Sequence, residues 1–244
     1  MSLVTLITPT GGRPEAWIFC QRFIARQSYK GAIQWIVIND IHGTELVISD
    51  EIKACSNVSM EVYQSSKPWR AGINTQRPNM DDALPHVKGD FIFVIEDDDC
   101  YMPDYIKTMM FLMQEFPLVG QGNSRYFNLK ERRYKEWQNF THTSLCETAL
   151  RKEKLDLLDR AVNSGDLFMD GALWRIIRKE NHKYLLFNHI GLVCGIKGLP
   201  GKIGIGGGHT PDESFAKDPF LEKLKSWIGL EYAEMYVSLI QKVK

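Results

Sequence analysis

The sequence predicts an α/β fold built on a largely parallel sheet, and three observations carry that prediction. Short strand-like apolar runs alternate with helical ones through the first half of the chain. One run, Phe91 to Ile95, is apolar without interruption, as strands are when helices cover both faces of their sheet. Three of the runs end in turn-forming or acidic residues, and the carboxyl ends of strands are where open α/β sheets bind ligands.

Taken in order, Leu3 to Ile7 is a β-type run stopped by "TPTGGRP". Pro14 suits the first turn of a helix reading "PEAWIFCQRFIARQ", with Trp17, Cys20 and Ile24 on one face and Phe23 adjoining. "QWIVIND" (Gln34 to Asp40) is a second strand, "VSMEVYQ" (Val58 to Gln64) a third and "DFIFVIE" a fourth. "PDYIKTMMFLMQEF" follows as a helix, with Ile106, Met109, Met110 and Met113 at core spacing. The second half is less regular. "RYFNLKERRYKEWQNF" reads as a hairpin or a mobile loop, and "SGDLFMDGALWRIIRK" as a turn, a short strand and a helix. Residues 182–215 are glycine-rich and punctuated by Pro200 and Pro211. The tail from Asp218 is one or two amphipathic helices with Leu221, Leu224, Ile228, Met235 and Leu239 turned inward.

With 244 residues, 44% of them hydrophobic, the chain is long enough for one large domain or a domain with a small appendage. Its 30 basic and 30 acidic residues balance, so no long-range field gathers nucleic acid or an anionic membrane surface. The run "KERRYK" (Lys130 to Lys135) is a local exception and reads first as a solvated face. The five cysteines are scattered, odd in number and never spaced C-x-x-C, which argues against a zinc knuckle or a disulfide framework. The N-terminus lacks the basic region of a signal peptide, and no apolar window is long enough to span a membrane. A soluble, cytoplasmic protein is expected.

The fourth strand runs into four consecutive acids, Glu96 to Asp99. Adjacent carboxylates stay ionised together only when a cation, solvent or hydrogen bonds compensate. Magnesium and manganese take one or two carboxylates plus substrate phosphates, which this strand end offers. Strand alternation would put Asp97 and Asp99 on one side and Asp98 on the other, unless the chain turns there. The same acids also suit a solvated, helix-capping loop, with Asp104 beside the next helix's dipole. Rival motifs fail on detail. Tyr101 and Met102 interrupt a calcium loop, "GLPGKIG" lacks phosphate-loop spacing, and "GKIGIGGGH" has His209 where a dinucleotide fingerprint needs glycine.

"VTLITPTGGRPE", "WIVINDIHG" and "GDFIFVIEDDDCYMPDYI", in that order, resemble the nucleotide-sugar half of GT-A glycosyltransferases, especially the large family two. The resemblance covers about the first 115 residues. It implies a GT-A, Rossmann-like, mostly parallel sheet flanked by helices, with an irregular acceptor-side region and C-terminal helices. The chain would divide into a nucleotide-sugar-binding half (1–118), an acceptor-side and metal-completing half (119–215) and a helical tail (216–244). The implied reaction is metal-dependent transfer of a sugar from a nucleotide-diphosphate sugar, a UDP-sugar foremost, to an acceptor hydroxyl, with Mn2+ or Mg2+ as cofactor. Thr8 and Pro9 would border the nucleoside with Arg13 nearby, and Asp40 would accept a hydrogen bond from the base. Asp97 would sit by the ribose or the metal, and Asp98 or Asp99 would ligate the metal, Asp98 being better placed when counted from "YMPD".

His209 stands where a late histidine ligand is found in such enzymes, or is a loop histidine with a single hydrogen bond. Arg77 lies in "RPNMDDAL", where the family commonly has "A-R-N-x-A/G-L"; it would reach a phosphate or the base. Lys202 and Arg125 are further diphosphate partners. Asp170, a lone acid among apolar residues in "LFMDGALWR", is the candidate general base and equally a helix N-cap. Trp137 and Trp174 would stack on a sugar or an acceptor base, or lie in the core. The acceptor is a saccharide or cell-surface polymer by default, with a hydroxylated DNA base as the minority reading from "RYFNLKERRYKEW". Two alternatives remain: a sugar-nucleotide nucleotidyltransferase, whose glycine-rich loop "TPTGGRPEA" does not supply, and a non-catalytic nucleotide-sugar-binding protein.

Overall fold

Strands β1 (Val4–Thr10) and β2 (Ile33–Asn39) are buried along their whole length, as mainly apolar strands covered on both faces are. They pair in parallel with each other, β1 with β4 (Phe91–Val94) and β2 with the edge strand β3 (Val58–Gln64). Beyond β4 the sheet continues through β9 (Thr148–Arg151), β6 (Leu118–Gln121) and β10 (Leu185–Phe187). The order is β10-β6-β9-β4-β1-β2-β3, with β9 the one reversed strand. The computed structural model describes residues 2–70, 73–201, 204 and 206–241.

β1 runs three residues past the expected stop at Ile7: Thr8, Pro9 and Thr10 pair with Val37, Ile38 and Asn39. Proline is tolerated there for a specific reason. The Ile7 carbonyl accepts the Ile95 N–H on the β4 side, so Pro9, two residues on, faces that side after the β4 pairing has ended at Val94.

The helices α1 (Pro14–Ala25), α4 (Tyr105–Leu112) and α8 (Leu230–Gln241) belong to the face that carries Leu6, Trp35, Val37 and Phe93. Trp17, Cys20, Phe23 and Ile24 are buried as their spacing predicts, as are Ile106, Met109 and Met113, while Met110 packs at the edge. The opposite face, with Ile7, Ile36, Ile92 and Val94, is covered by α3 (Gln76–Ala83), α5 (Leu155–Val162) and α6 (Met169–Lys179). A one-turn α2 (Asp50–Lys53) precedes β3.

The basic-aromatic run forms a hairpin, β7 (Arg125–Asn128) with β8 (Arg133–Glu136). With β5 (Cys100–Tyr101), β11 (Val193–Lys197) and β12 (Ala216–Lys217) it builds a second sheet, β12-β8-β7-β11-β5. No strand precedes α6, contrary to expectation. The apolar pair there, Leu167 and Phe168, is 70% and 47% exposed and finds no strand edge to join. The tail is two helices, α7 (Glu222–Ile228) and α8, with Leu224, Ile228 and Leu239 buried. Asp218 starts α7 by accepting the N–H groups of Glu222, Lys223 and Leu224. α8 docks on α1 through edge-on ring pairs, Phe19–Tyr236 and Phe23–Tyr232. All five cysteines are free. Among the described residues no helix is long and apolar enough to cross a membrane.

Candidate active site

β4 ends before the acids, and the chain turns through Glu96–Asp99 into β5. That turn overrides strand alternation. Asp97 and Asp98, not Asp97 and Asp99, lie side by side, because one guanidinium bridges them: Arg13 Nη2 donates to Asp97 Oδ1 and Nη1 to Asp98 Oδ2 at 2.8 Å. The Thr10 hydroxyl donates to the other oxygen of Asp97 at 2.7 Å. Arg13 reaches the turn from the loop between β1 and α1, where Gly11 (φ 152°) leaves no room for a Cβ, which would overlap the Asp40 carboxylate.

Asp99 points away from the cleft into the second sheet. It accepts the Ile196 N–H at 3.1 Å and the Lys197 ammonium at 2.7 Å. Lys197, at the end of β11 and only 5% exposed, also lies 3.3 Å from Asp98 and 3.6 Å from Glu96. Two phenols pin the backbone of the turn. Tyr236 of α8 donates to the Asp98 carbonyl at 3.1 Å, and the Tyr101 hydroxyl accepts the Glu96 N–H at 2.8 Å.

These contacts set the protonation of the cluster. Burial pushes the Asp98 carboxyl up, but Arg13 and Lys197 outweigh it and hold the group well below the usual carboxylate range. For Asp99 burial prevails over the pull of Lys197, and the carboxyl is raised. Burial works against the Lys197 ammonium, yet Asp98, Asp99 and Glu96 hold it charged. His209, on a short 3-10 turn whose Gly208 carbonyl is held by Asn128 at 3.0 Å, is pushed down to about 4 by burial and then by Lys197. Its imidazole is therefore neutral at physiological pH and has a lone pair to offer.

One cleft gathers Pro9, Arg13, Glu96, Asp97 and Asp98 with Lys197 and His209. Its remaining wall includes Tyr126, Ser144, Leu145, Phe168 and Asp170. Asp170 sits in the first turn of α6, where the Gly171 N–H donates to it at 2.8 Å, and burial raises its pKa. Of the sequence candidates, the fold thus unites Pro9, Arg13, Asp97, Asp98, His209 and Asp170, with Asp99 directly behind. Others lie elsewhere. Thr8 is wholly buried and accepts the Trp35 indole N–H at 2.9 Å. Asp40 is wholly buried and accepts from Thr75 and Asn79, which ties the start of α3 to the end of β2. Arg77 donates to the carbonyls of Ala161, Val162 and Asp166, so it caps the end of α5 and does not line the cleft. Arg125 pairs with Glu136 at 3.0 Å, and Trp174 is core. Lys202 lies outside the described residues.

Lys197 and Glu96 were not singled out from sequence. A lysine closing the apolar run "VCGI" was the available signal, since lysine is rarely buried unless paired.

The cluster suits a hard divalent ion. Asp98 Oδ1 and Asp99 Oδ2 are buried without a hydrogen-bond partner, and carboxylates with a neutral imidazole match the oxygen and nitrogen preference of Mn2+. A second grouping, Glu96, Asp99 and Cys146, brings ligand atoms within 4.8 Å, but burial raises the Cys146 thiol, which makes it a poor ligand for such an ion.

Comparison with known proteins bears on the fold. No curated protein sequence matches the chain. Among solved structures, S. aureus TarS 1-349 in complex with UDP is 15% identical, with a TM-score of 0.54 over 80% of this chain and 60% of that one. The same protein in complex with UDP-GlcNAc is 12% identical, with a TM-score of 0.53 over 87% and 62%. The mannosyltransferase PcManGT from Pyrobaculum calidifontis, in complex with GDP-Man and Mn2+, is 12% identical, with a TM-score of 0.53 over 81% and 57%. The chain therefore spans less than two thirds of each of these structures. At these identities the likeness is one of fold, and the fold is GT-A. The sequence model of glycosyl transferase family 2 matches residues 20–182, most of the chain, and the protein belongs to that family.

Proposed function

We propose that the protein transfers a sugar from a nucleotide-diphosphate sugar to an acceptor hydroxyl, with Mn2+ or Mg2+ at the acid turn. The observation that carries this reading is the meeting, in one cleft, of Asp98, whose Oδ1 has no hydrogen-bond partner, with the desolvated carboxyl of Asp170. The nucleotide sugars and the Mn2+ named for the structural neighbours support the donor class, with a UDP-sugar as the default. Asp97, Asp98 and His209 would hold the ion, and Asp99 would back them. When bound, the ion supplies electrostatic stabilisation of the negative charge that grows on the diphosphate as the sugar–oxygen bond breaks. Lys197 adds a fixed positive charge beside the same point, and Pro9 borders the nucleoside.

Asp170 takes the proton from the acceptor hydroxyl. Its burial makes it a stronger base than a free carboxylate, while the Gly171 N–H keeps one oxygen engaged and orients the group. Residues 1–118 serve the donor, 119–215 the acceptor and the completion of the ion site, and 216–244 brace the acid turn through Tyr236. A saccharide acceptor is favoured. Phe168, Leu145 and Tyr126 offer an apolar wall, whereas the basic run is occupied: Arg132, Arg133 and Lys135 bind Pro219, Asp212 and Ser214. Free thiols suit a reducing, cytoplasmic setting.

The test is product release. Incubation with UDP- and GDP-sugars and Mn2+ should liberate UDP or GDP by slow donor hydrolysis. Tight nucleotide binding without release from any donor would instead favour a non-catalytic nucleotide-sugar-binding protein.

A further inference from the structure

We propose that Arg13 is a resident stand-in for the divalent ion, occupying the acid turn until ion and nucleotide diphosphate arrive together. The inference rests on the donor reading above and adds to it a coupling between the two ligands.

The geometry begins with the bridge. A single guanidinium satisfies one oxygen of Asp97 and one of Asp98, two adjacent carboxylates that line the cleft. A planar fork suits this task, since its donors are held in one plane at fixed spacing. The charges come next. Four acids crowd the turn and two buried cations answer them, Arg13 and Lys197, with side chains 11% and 6% exposed. A dication entering with Arg13 in place would face two cations within a few ångströms, and low local dielectric makes that repulsion strong. A diphosphate brings negative charge that favours the ion and gives the displaced guanidinium a new partner.

The present contacts of Arg13 are also incomplete. Its Nε is buried without a partner, as are Asp98 Oδ1 and Asp99 Oδ2. Two unsatisfied polar atoms within the Arg13–Asp98 pair, with Asp99 Oδ2 a third behind it, mark a resting arrangement that a better set of partners displaces.

The two cations differ in freedom. Lys197 belongs to β11, held between β5 and β7, so its backbone is fixed. Arg13 follows Gly11 and Gly12, both at positive φ, and it also lines a second, smaller hollow with Glu15, Leu199 and Pro200. Arg13 is thus the cation that moves, and Lys197 the one that stays.

Binding of Mn2+, followed by the loss of its free-ion EPR signal, tests this. Wild type should bind Mn2+ alone weakly and tighten at least about tenfold when UDP or GDP is added, the scale of one nearby unit charge under partial screening. Arg13→Gln should bind Mn2+ alone at least about tenfold tighter than wild type and gain less from nucleotide. Arg13→Lys, which keeps the charge but not the fork, should fall between. Equal Mn2+ affinity in wild type and folded Arg13→Gln overturns the proposal while leaving the donor reading intact. So does a wild type that gains nothing from a nucleotide it demonstrably binds, a result that needs no variant. A wild type that binds neither UDP nor GDP with Mn2+ overturns the donor reading and this inference with it.

Discussion

The two walls of the cleft are built on opposite principles. The wall from β1, β4 and α1 is a regular parallel sheet whose apolar strands end abruptly in polar residues. The wall from β7, β11 and the residues before β9 consists of short strands joined by buried side-chain hydrogen bonds. Gln121 accepts the N–H groups of Leu192 and Val193 and donates to Glu147 at 3.0 Å; Ser124 also donates to Glu147. Thr143 lies within reach of both the Gln121 carbonyl and Glu147, but it has one proton to give. The strands of the first wall derive their precision from hydrophobic burial, and its titratable groups are gathered at their ends, in the acid turn and Arg13. The second wall derives its precision from a network that depends on the protonation of its members.

Four perturbations probe that contrast. The largest effect belongs to Asp170→Asn, which should slow transfer by roughly 10²–10⁴-fold and leave the affinity for UDP or GDP with Mn2+ unchanged in calorimetry. Because burial raises the Asp170 pKa and the base acts when ionised, the wild-type rate should fall as pH drops through a value above the ordinary carboxylate range. An unaltered rate in the variant would remove Asp170 as base.

Next comes Lys197→Met, which strands the acids it holds. A loss of about 3–5 kcal/mol is expected for breaking a buried ion pair, read by urea unfolding at pH 7. The loss should shrink at lower pH, where the acids protonate.

Glu147→Gln bears on the second wall alone. Burial raises the Glu147 pKa from 4.5 in a free chain to about 7 in the fold. The protonated form is the one the fold prefers, so its contribution of about 3 kcal/mol is full below pH 4.5 and lost as pH rises through 7. The variant should flatten this fall and melt higher than wild type at pH 8; a pH dependence identical to wild type would show that Glu147 does not control the wall.

The smallest change is Tyr236→Phe. It removes one hydrogen bond to the Asp98 carbonyl, costs about 1 kcal/mol and should weaken Mn2+ affinity a few-fold with the nucleotide present. No change in Mn2+ affinity would mean that α8 braces the fold without tuning the turn.

The same contrast governs what was legible in the sequence. Strands β2 and β3 and the buried face of α1 follow from apolar spacing, because burial there repeats along the chain. The acid turn was visible as a cluster, but its arrangement was not. Alternation presumes a continuing strand, and β4 ends at Val94. Helix α3 has too few apolar residues to show a pattern and is placed by Met80 and Ala83 meeting the sheet. Arg77 had the chemistry of an anion ligand, and only the fold reveals that backbone carbonyls claim it first. Lys197 was hidden for a plainer reason. Its partner Asp99 is 98 residues away, and the apolar run before it signals only that the lysine is buried, not what it pairs with.

The most direct test of the central claim is a thermal melt of wild type and Asp98→Asn with UDP or GDP, with and without Mn2+. A ligand that binds only the folded state raises the melting temperature. The wild-type midpoint should rise when nucleotide and Mn2+ are both present, and the Asp98→Asn midpoint should not. A wild type indifferent to both nucleotides, or an Asp98→Asn protein that responds as wild type does, would contradict the assignment of the acid turn as the seat of a metal-bound donor.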